Sequence, residues 1–261
     1  MGCVLGIDGG GSKSAFLAAG LDDRGTADAY LVRLGSSLSR SALREVELVV
    51  ARGCQGCLAE HNAGLEEVAA VCGGFASAGR NRGRYEAILA GLMPQARVRV
   101  MSDAELAWWG ATGGKDGLVV VAGTGSVVWG RYQGREAQAG GEGPGRDPGS
   151  GDQIGREAVA AGLSAAPGDG NYAGLLPRLA REHGQKCEGI FRRAAADLTG
   201  LVRNCACALR WETPEVYYWG GVFDGVQAMR EYIQEAGGYT LQPPKQAPVT
   251  AAVELARALV G

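Results

Sequence analysis

The residues best placed to do chemistry are two glycine-rich turns and the acids near them. GIDGGGSKS (6–14) follows the apolar run Cys3-Val4-Leu5, and VVVAGTGSVVWG (119–130) is built on a β-branched run. Each spacing predicts a strand, a tight turn and a second strand. Glycine lets a backbone take positive φ and approach a ligand closely. Consecutive N–H groups and hydroxyls then form a concavity for anionic oxygens. The first turn offers Gly9, Gly10, Gly11, Ser12 and Lys13 behind the strand-end acid Asp8; the second offers Gly123, Thr124, Gly125 and Ser126. Either turn alone is equally an ordinary hairpin. Two of them, far apart in the chain, suggest two jaws closing on a polyphosphate.

Asp103 closes one predicted strand and opens a helix, in VMSDAELAWW. An acid there either caps the helix by accepting from its first N–H groups or stands ready as a proton acceptor. The two histidines, His61 and His183, have no catalytic setting, so a carboxylate must do any acid–base work. Gly220-Gly221-Val222 follows the strand VYYW, where small residues let a flat ligand lie against the backbone. GGEGPGRDPGSG (140–151) is too rich in glycine for regular structure and reads as a loop feeding a helix; it carries Gly141 and Asp147. Trp108, Trp109 and Trp129 are expected to pack in the core.

Strands are expected over 3–8, 14–20 and 27–33, then a helix over 39–63, a strand over 68–77, a helix over 81–92 and a strand over 97–103. The pattern restarts with strands across 116–141. Helices are expected over 151–163, 171–182 and 187–208, a strand over 215–221, and helices over 224–236 and 249–260. A unit of strand, glycine turn, two strands and helix thus occurs twice, implying an α/β fold with mixed sheets and a ligand cleft between its halves.

Composition narrows the function. The 261 residues carry a net charge of −2 and are 46% hydrophobic, which supports a large core and argues against a nucleic-acid partner. Glycine, 44 residues without a period, marks many tight turns rather than a collagen-like repeat. No apolar stretch is long enough for a membrane span, and the N-terminus enters a strand without a signal-peptide pattern; a cytoplasmic protein is expected. Seven cysteines, an odd number, argue against a disulfide framework. Cys54, Cys57 and His61 share one helix face, but no second pair completes a metal pattern.

GIDGGGSKS, SDAELAW (102–108), AGTGS (122–126), GGEGPGRDPGSGDQIG (140–155) and WGGVF (219–223) occur in the order of one family. The chain resembles the BadF/BadG/BcrA/BcrD-type ATPase family, which includes N-acetylglucosamine and glucosamine kinases within the actin/hexokinase/Hsp70-like superfamily. The resemblance implies duplicated ribonuclease H-like (actin-like ATPase) domains, here 1–103 plus 248–261 and 104–247. It implies that Gly9, Gly10, Gly11, Ser12 and Lys13 form a first phosphate loop, and Gly123, Thr124, Gly125 and Ser126 a second. Gly220, Gly221 and Val222 would receive adenosine. Asp8 would hold Mg²⁺ through water, Asp103 would be the base, and Ser37, Gly141 and Asp147 would line the acceptor. The implied activity is transfer of the γ-phosphoryl of ATP to an amino sugar such as N-acetylglucosamine or glucosamine, by a homodimer. The alternative is an ATPase that drives a partner protein. The chain departs from sugar-kinase members at LGSSLS (34–39), where Gly-x-x-Asn is usual, and in an acceptor loop that is one residue short with Pro148 in place of an acid. These departures leave the acceptor open.

Overall fold

The computed structural model describes residues 2–10, 13–21, 30–33, 43–143 and 145–261. In chain order it contains β1 (Cys3–Gly9), β2 (Lys13–Gly20), β3 (Tyr30–Arg33), α1 (Leu43–Glu60), β4 (Val68–Phe75), α2 (Ala78–Leu92), β5 (Arg97–Ser102) and α3 (Asp103–Thr112). Then come β6 (Gly117–Ala122), β7 (Ser126–Tyr132), β8 (Arg135–Gly140), α4 (Gly151–Ala160), α5 (Leu176–Leu209), β9 (Val216–Trp219), α6 (Gly221–Gly225), α7 (Met229–Gly237), β10 (Leu241–Gln242) and α8 (Pro248–Arg257). Two compact units result: Met1–Gly113 with Gln246–Gly261, and Gly114–Lys245.

The first sheet has the order β3-β2-β1-β4-β5. β1 runs antiparallel to β2 and parallel to β4, and β4 runs parallel to β5. Helices cover both faces, which is why β1 reads as a near-continuous apolar run. Alternate residues still sort by face. Leu5, Ile7 and Phe16 pack with Val46 and Leu58 of α1 and Tyr85 of α2. Val4, Leu17 and Met101 pack with Leu106 of α3 and Val253 of α8. Gly6 admits the last helix: a Cβ there would stand 2.6 Å from the Val249 carbonyl oxygen and 2.8 Å from the Val253 nitrogen.

The second sheet, β10-β9-β6-β7-β8, repeats the same path: an antiparallel meander whose first strand also pairs in parallel with the strand after the helices. Its core joins Leu118, Val120 and Val128 to α5 through Phe191, Leu198 and Val202. This is the duplicated α/β, actin-like architecture, with a mixed sheet in each unit.

Several elements differ from expectation. The first unit extends beyond 103 to include α3, because Leu106 is buried against the first sheet and Gly74 leaves room for it; a Cβ on Gly74 would lie 2.6 Å from Leu106 Cδ2. The break falls instead at Gly113 and Gly114, both at positive φ. The helices expected over 171–182 and 187–208 form one element, α5, with a non-helical residue at His183 (φ −132°, ψ 18°). The helix expected over 224–236 is split into α6 and α7 around Val226 (φ −123°, ψ 87°). Strand β10 was not anticipated: two residues are too few to show a period.

Candidate active site

In the first unit, two acids meet at one edge of the sheet. Asp8 is the penultimate residue of β1, and Asp103 follows the last residue of β5. The registers Gly9↔Phe75 and Phe75↔Ser102 bring the carboxyl ends of β1, β4 and β5 to the same edge, where open α/β sheets characteristically bind ligands. Asp8 is only half-buried by exposed area, yet it is strongly desolvated. Burial pushes its carboxyl up to about 7, the Asp103 charge adds to the rise, and Lys13 opposes it. Two acids in one field favour a cation between them or a shared proton.

Asp103 is not the helix cap. The N-cap of α3 is Ser102, whose hydroxyl accepts from the Glu105 N–H at 3.0 Å. Asp103 is the first helical residue, and its Oδ1 accepts from the Ala104 N–H at 2.9 Å. The serine takes over the capping that either residue type can perform and fixes the backbone that carries the acid.

In the second unit, the turn Gly123–Ser126 is braced from behind. The Gly123 N–H donates to the Gly125 carbonyl at 2.9 Å. Gly123 O accepts from Gly151 N–H at 2.8 Å, and Thr124 O accepts from Asp152 N–H at 3.3 Å, so the start of α4 is tied to the turn. The Ser126 hydroxyl donates to the Pro148 carbonyl at 2.5 Å, and the Ser126 N–H donates to Asp147 Oδ2 at 3.4 Å. Ser126 is therefore turned inward. Among the described residues, no bond within the protein takes the N–H of Thr124 or Gly125, which leaves these two for an anion.

Asp147 is neither a solvated loop acid nor turned away from the phosphate turn. It is 6% exposed, and its Oδ1 accepts from the Gly143 N–H at 3.0 Å. Desolvation raises its carboxyl above the ordinary value, and hydrogen bonds from the backbone of Gly143, Glu142 and Ser126 oppose the rise. A Cβ on Gly125 would lie 2.5 Å from Asp147 Oδ2, so glycine there lets the acid reach the turn. Gly141, at φ 75°, donates its N–H to Ser126 O at 2.9 Å. The loop that the sequence assigned to the acceptor is also the brace of the second turn.

Gly220 (φ 112°) closes β9 against the same turn; a Cβ there would lie 2.5 Å from the Ala122 carbonyl oxygen. Gly221 is exposed with open space at its Cβ position, and Val222 is buried. Gly9 is buried, Gly10 half-buried, and Lys13 exposed at the start of β2. Gly11, Ser12 and Ser37 lie outside the described residues. Cys54 and Cys57 are buried, with desolvation pushing their thiols up to about 12 and about 11, and His61 Nδ1 lies 3.0 Å from the Cys57 carbonyl oxygen. Among the described residues no group of acids, cysteines and histidines is assembled to hold a metal. Trp108 and Trp129 are buried and Trp109 half-buried.

Sequence reasoning missed Ser150, Gly151 and Asp152 as supports of the second turn. One signal was available: Ser150 and Gln153 have capping-box spacing. The Gln153 N–H donates to Ser150 Oγ at 3.2 Å, and Gln153 Oε1 accepts from Gly149 N–H at 2.7 Å.

Comparison with known proteins agrees with this geometry. The profile of the BadF/BadG/BcrA/BcrD ATPase family matches residues 5–168, from the first glycine turn through α4. The chain belongs to this ATPase family. An N-acetylmuramic acid/N-acetylglucosamine kinase of Clostridium acetobutylicum is 34% identical over 166 residues, covering 62% of this chain. That match spans 54% of the relative, about half its length. Among solved structures, a candidate N-acetylglucosamine kinase from Chromobacterium violaceum has a TM-score of 0.77 at 20% identity, covering 98% of this chain and 99% of its own. A ROK-family glucokinase from Streptomyces griseus, solved with glucose and AMPPNP, has a TM-score of 0.71 at 18% identity, covering 98% and 100%. These structural likenesses establish the actin-like fold of this BadF/BadG/BcrA/BcrD ATPase family member. Among the described residues, no helix is long and apolar enough to cross a membrane.

Proposed function

We propose that this chain is an ATP-dependent sugar kinase that phosphorylates a hydroxyl of an amino sugar. The observation that carries the reading is the pair of acids at one edge of the first sheet, with Asp103 opening α3 and Asp8 raised by burial and by its neighbour. The relative from Clostridium acetobutylicum supports a sugar acceptor. ATP is the proposed phosphoryl donor.

In this reading Asp103 accepts the proton of the acceptor hydroxyl as that oxygen bonds to the γ-phosphorus. The bond from the γ-phosphorus to the β,γ-bridging oxygen breaks, and ADP leaves with that oxygen. Thr124 and Gly125 donate N–H groups to phosphate oxygens, and Lys13 adds positive charge. Gly220, Gly221 and Val222 take the adenosine. Asp8 suits Mg²⁺ because it is a hard carboxylate oxygen donor in a desolvated, acid-rich setting. Bound there, the ion would neutralise phosphate charge. Positioning and electrostatics supply most of the rate gain.

The test is ADP release from MgATP with glucosamine, N-acetylglucosamine, N-acetylmuramate, glucose or no acceptor. Strong stimulation by one sugar supports the kinase and names its acceptor. The family's own description favours one other reading, an ATPase coupled to a partner protein. Turnover indifferent to every acceptor supports that reading and rejects the kinase.

A further inference from the structure

Arg84, in α2, holds a cation that the protein itself does not satisfy. Its Nε and Nη2 are shielded from solvent and make no hydrogen bond. These atoms form the side-on edge of a guanidinium, where two N–H bonds run parallel and match both oxygens of one carboxylate. Removing such a group from water without a partner is costly. Nearby groups are engaged elsewhere. The Tyr85 hydroxyl lies 2.8 Å from Ser77 Oγ, and Glu105 lies 4.0 Å from the Arg82 guanidinium.

The arginine belongs to the acid edge of the first unit. α2 leaves β4 beside the ends of β1 and β5, and the Arg82–Glu105 pair ties it to the first turn of α3. The Tyr85 hydroxyl lies in the fields of both Arg84 and Asp103. A second buried group without a partner, the Ser14 hydroxyl, lies on the face of the sheet that α2 covers. It is 1% exposed, and the registers Ser14↔Gly9 and Gly9↔Phe75 align it with Phe75, which stacks on Tyr85 at 4.1 Å.

We infer that Arg84 is a specificity-determining residue that receives a carboxylate carried by the acceptor, so that the preferred substrate is an acidic amino sugar. The inference rests on the kinase reading for its setting. A carboxylate fits better than a nucleotide phosphate for two reasons. The unpaired edge is a two-pronged donor, and it lies beside the proposed base, whereas Lys13, Thr124 and Gly125 already provide for phosphate.

N-acetylmuramate and N-acetylglucosamine differ by one lactyl ether bearing a carboxylate, so they isolate the interaction. Their binding to the full chain is measured by titration calorimetry for wild type, Arg84→Lys and Arg84→Gln. Wild type is expected to bind the acid about tenfold or more tightly than the neutral sugar, the range of a charge-assisted pair. Arg84→Gln should erase that ratio. Arg84→Lys, which keeps the charge but not the fork, should restore only part of it. Melting curves show whether the variants fold, and Arg84→Gln should melt no lower than wild type, since it removes an unpaired buried cation. Equal binding of the two sugars by wild type, binding of neither, or an equal loss of both in the variants overturns the inference. A raised KM for MgATP with the sugar ratio intact also overturns it, in favour of a phosphate contact. If the preference and its loss are seen while no sugar stimulates ADP release, the kinase reading fails and the carboxylate site stands.

Discussion

Asp8 shows how a site residue works against the stability of the protein that carries it. Its carboxyl rises from the ordinary 3.8 to about 7 in the fold, chiefly through burial. The folded state therefore binds this proton more tightly than the unfolded chain. The stabilisation is full below about pH 4 and is lost as pH rises through about 7. Asp8→Asn removes the anion, so in Mg²⁺-free buffer at pH 8 it should melt several degrees above wild type, with the gap closing towards pH 4. Its turnover should collapse. A lower melting temperature at pH 8 would show that the desolvation argument is wrong. Asp103→Asn separates chemistry from binding at the same edge. Loss of a positioned base costs about 10²–10⁴ in rate, so kcat should fall in that range while nucleotide affinity, read by calorimetry, is retained. Unchanged turnover would remove Asp103 from the proposed mechanism.

The second glycine turn is an element whose readable sequence hides its support. β-branched runs on either side of Gly123–Ser126 show strand, turn and strand directly. That Ser126 spends its N–H on Asp147 and its hydroxyl on Pro148 cannot be read from a window of sequence, because the partners lie about twenty residues away and meet only when the loop folds back. For the same reason the sequence assigned Asp147 to the acceptor. The Ser150–Gln153 spacing was legible, and it does start α4, the helix tied to the turn. Asp147→Ala leaves the N–H groups of Ser126 and Gly143 without their acceptor, a loss of about 1–3 kcal/mol if they stay buried. The expected result is a several-fold rise in KM for ATP with the α/β circular-dichroism signature intact. Gly220→Ala tests the turn from the other side. Positive φ and a Cβ 2.5 Å from Ala122 O would force the end of β9 away from the turn, so nucleotide binding should weaken more than the melting temperature falls. If ATP binding is untouched in both variants, the turn does not depend on its braces.

Across the molecule, the duplication was legible because the meander and its glycine turn recur, and the recurrence is confirmed by two sheets with the same strand path. The exact allotment of helices was less so. Periodicity marks a helix but not which sheet it covers, and α3 joins the first unit only through contacts such as Leu106 on Gly74. The units also differ in a way that matters for folding. Gly114–Lys245 is continuous in sequence, whereas the first unit is completed by its returning segment Gln246–Gly261. In that segment α8 buries Val249, Ala252, Val253 and Ala256 against Val4, Ala70 and Met101, and its backbone rests on Gly6. Deleting residues 246–261 would expose the whole of that apolar face, at about 25 cal/mol for each Å² returned to water. Hydrogen exchange on the truncated chain should then show the amides of β1, β4 and β5 losing protection while those of β6, β7 and α5 keep theirs, since the second core contains no residue of α8. Gly6→Ala should act in the same direction and more weakly, by lifting α8 off β1 without removing it. Uniform loss of protection in both units would mean that the two cores fold as one cooperative body, and that the second cannot stand without the first.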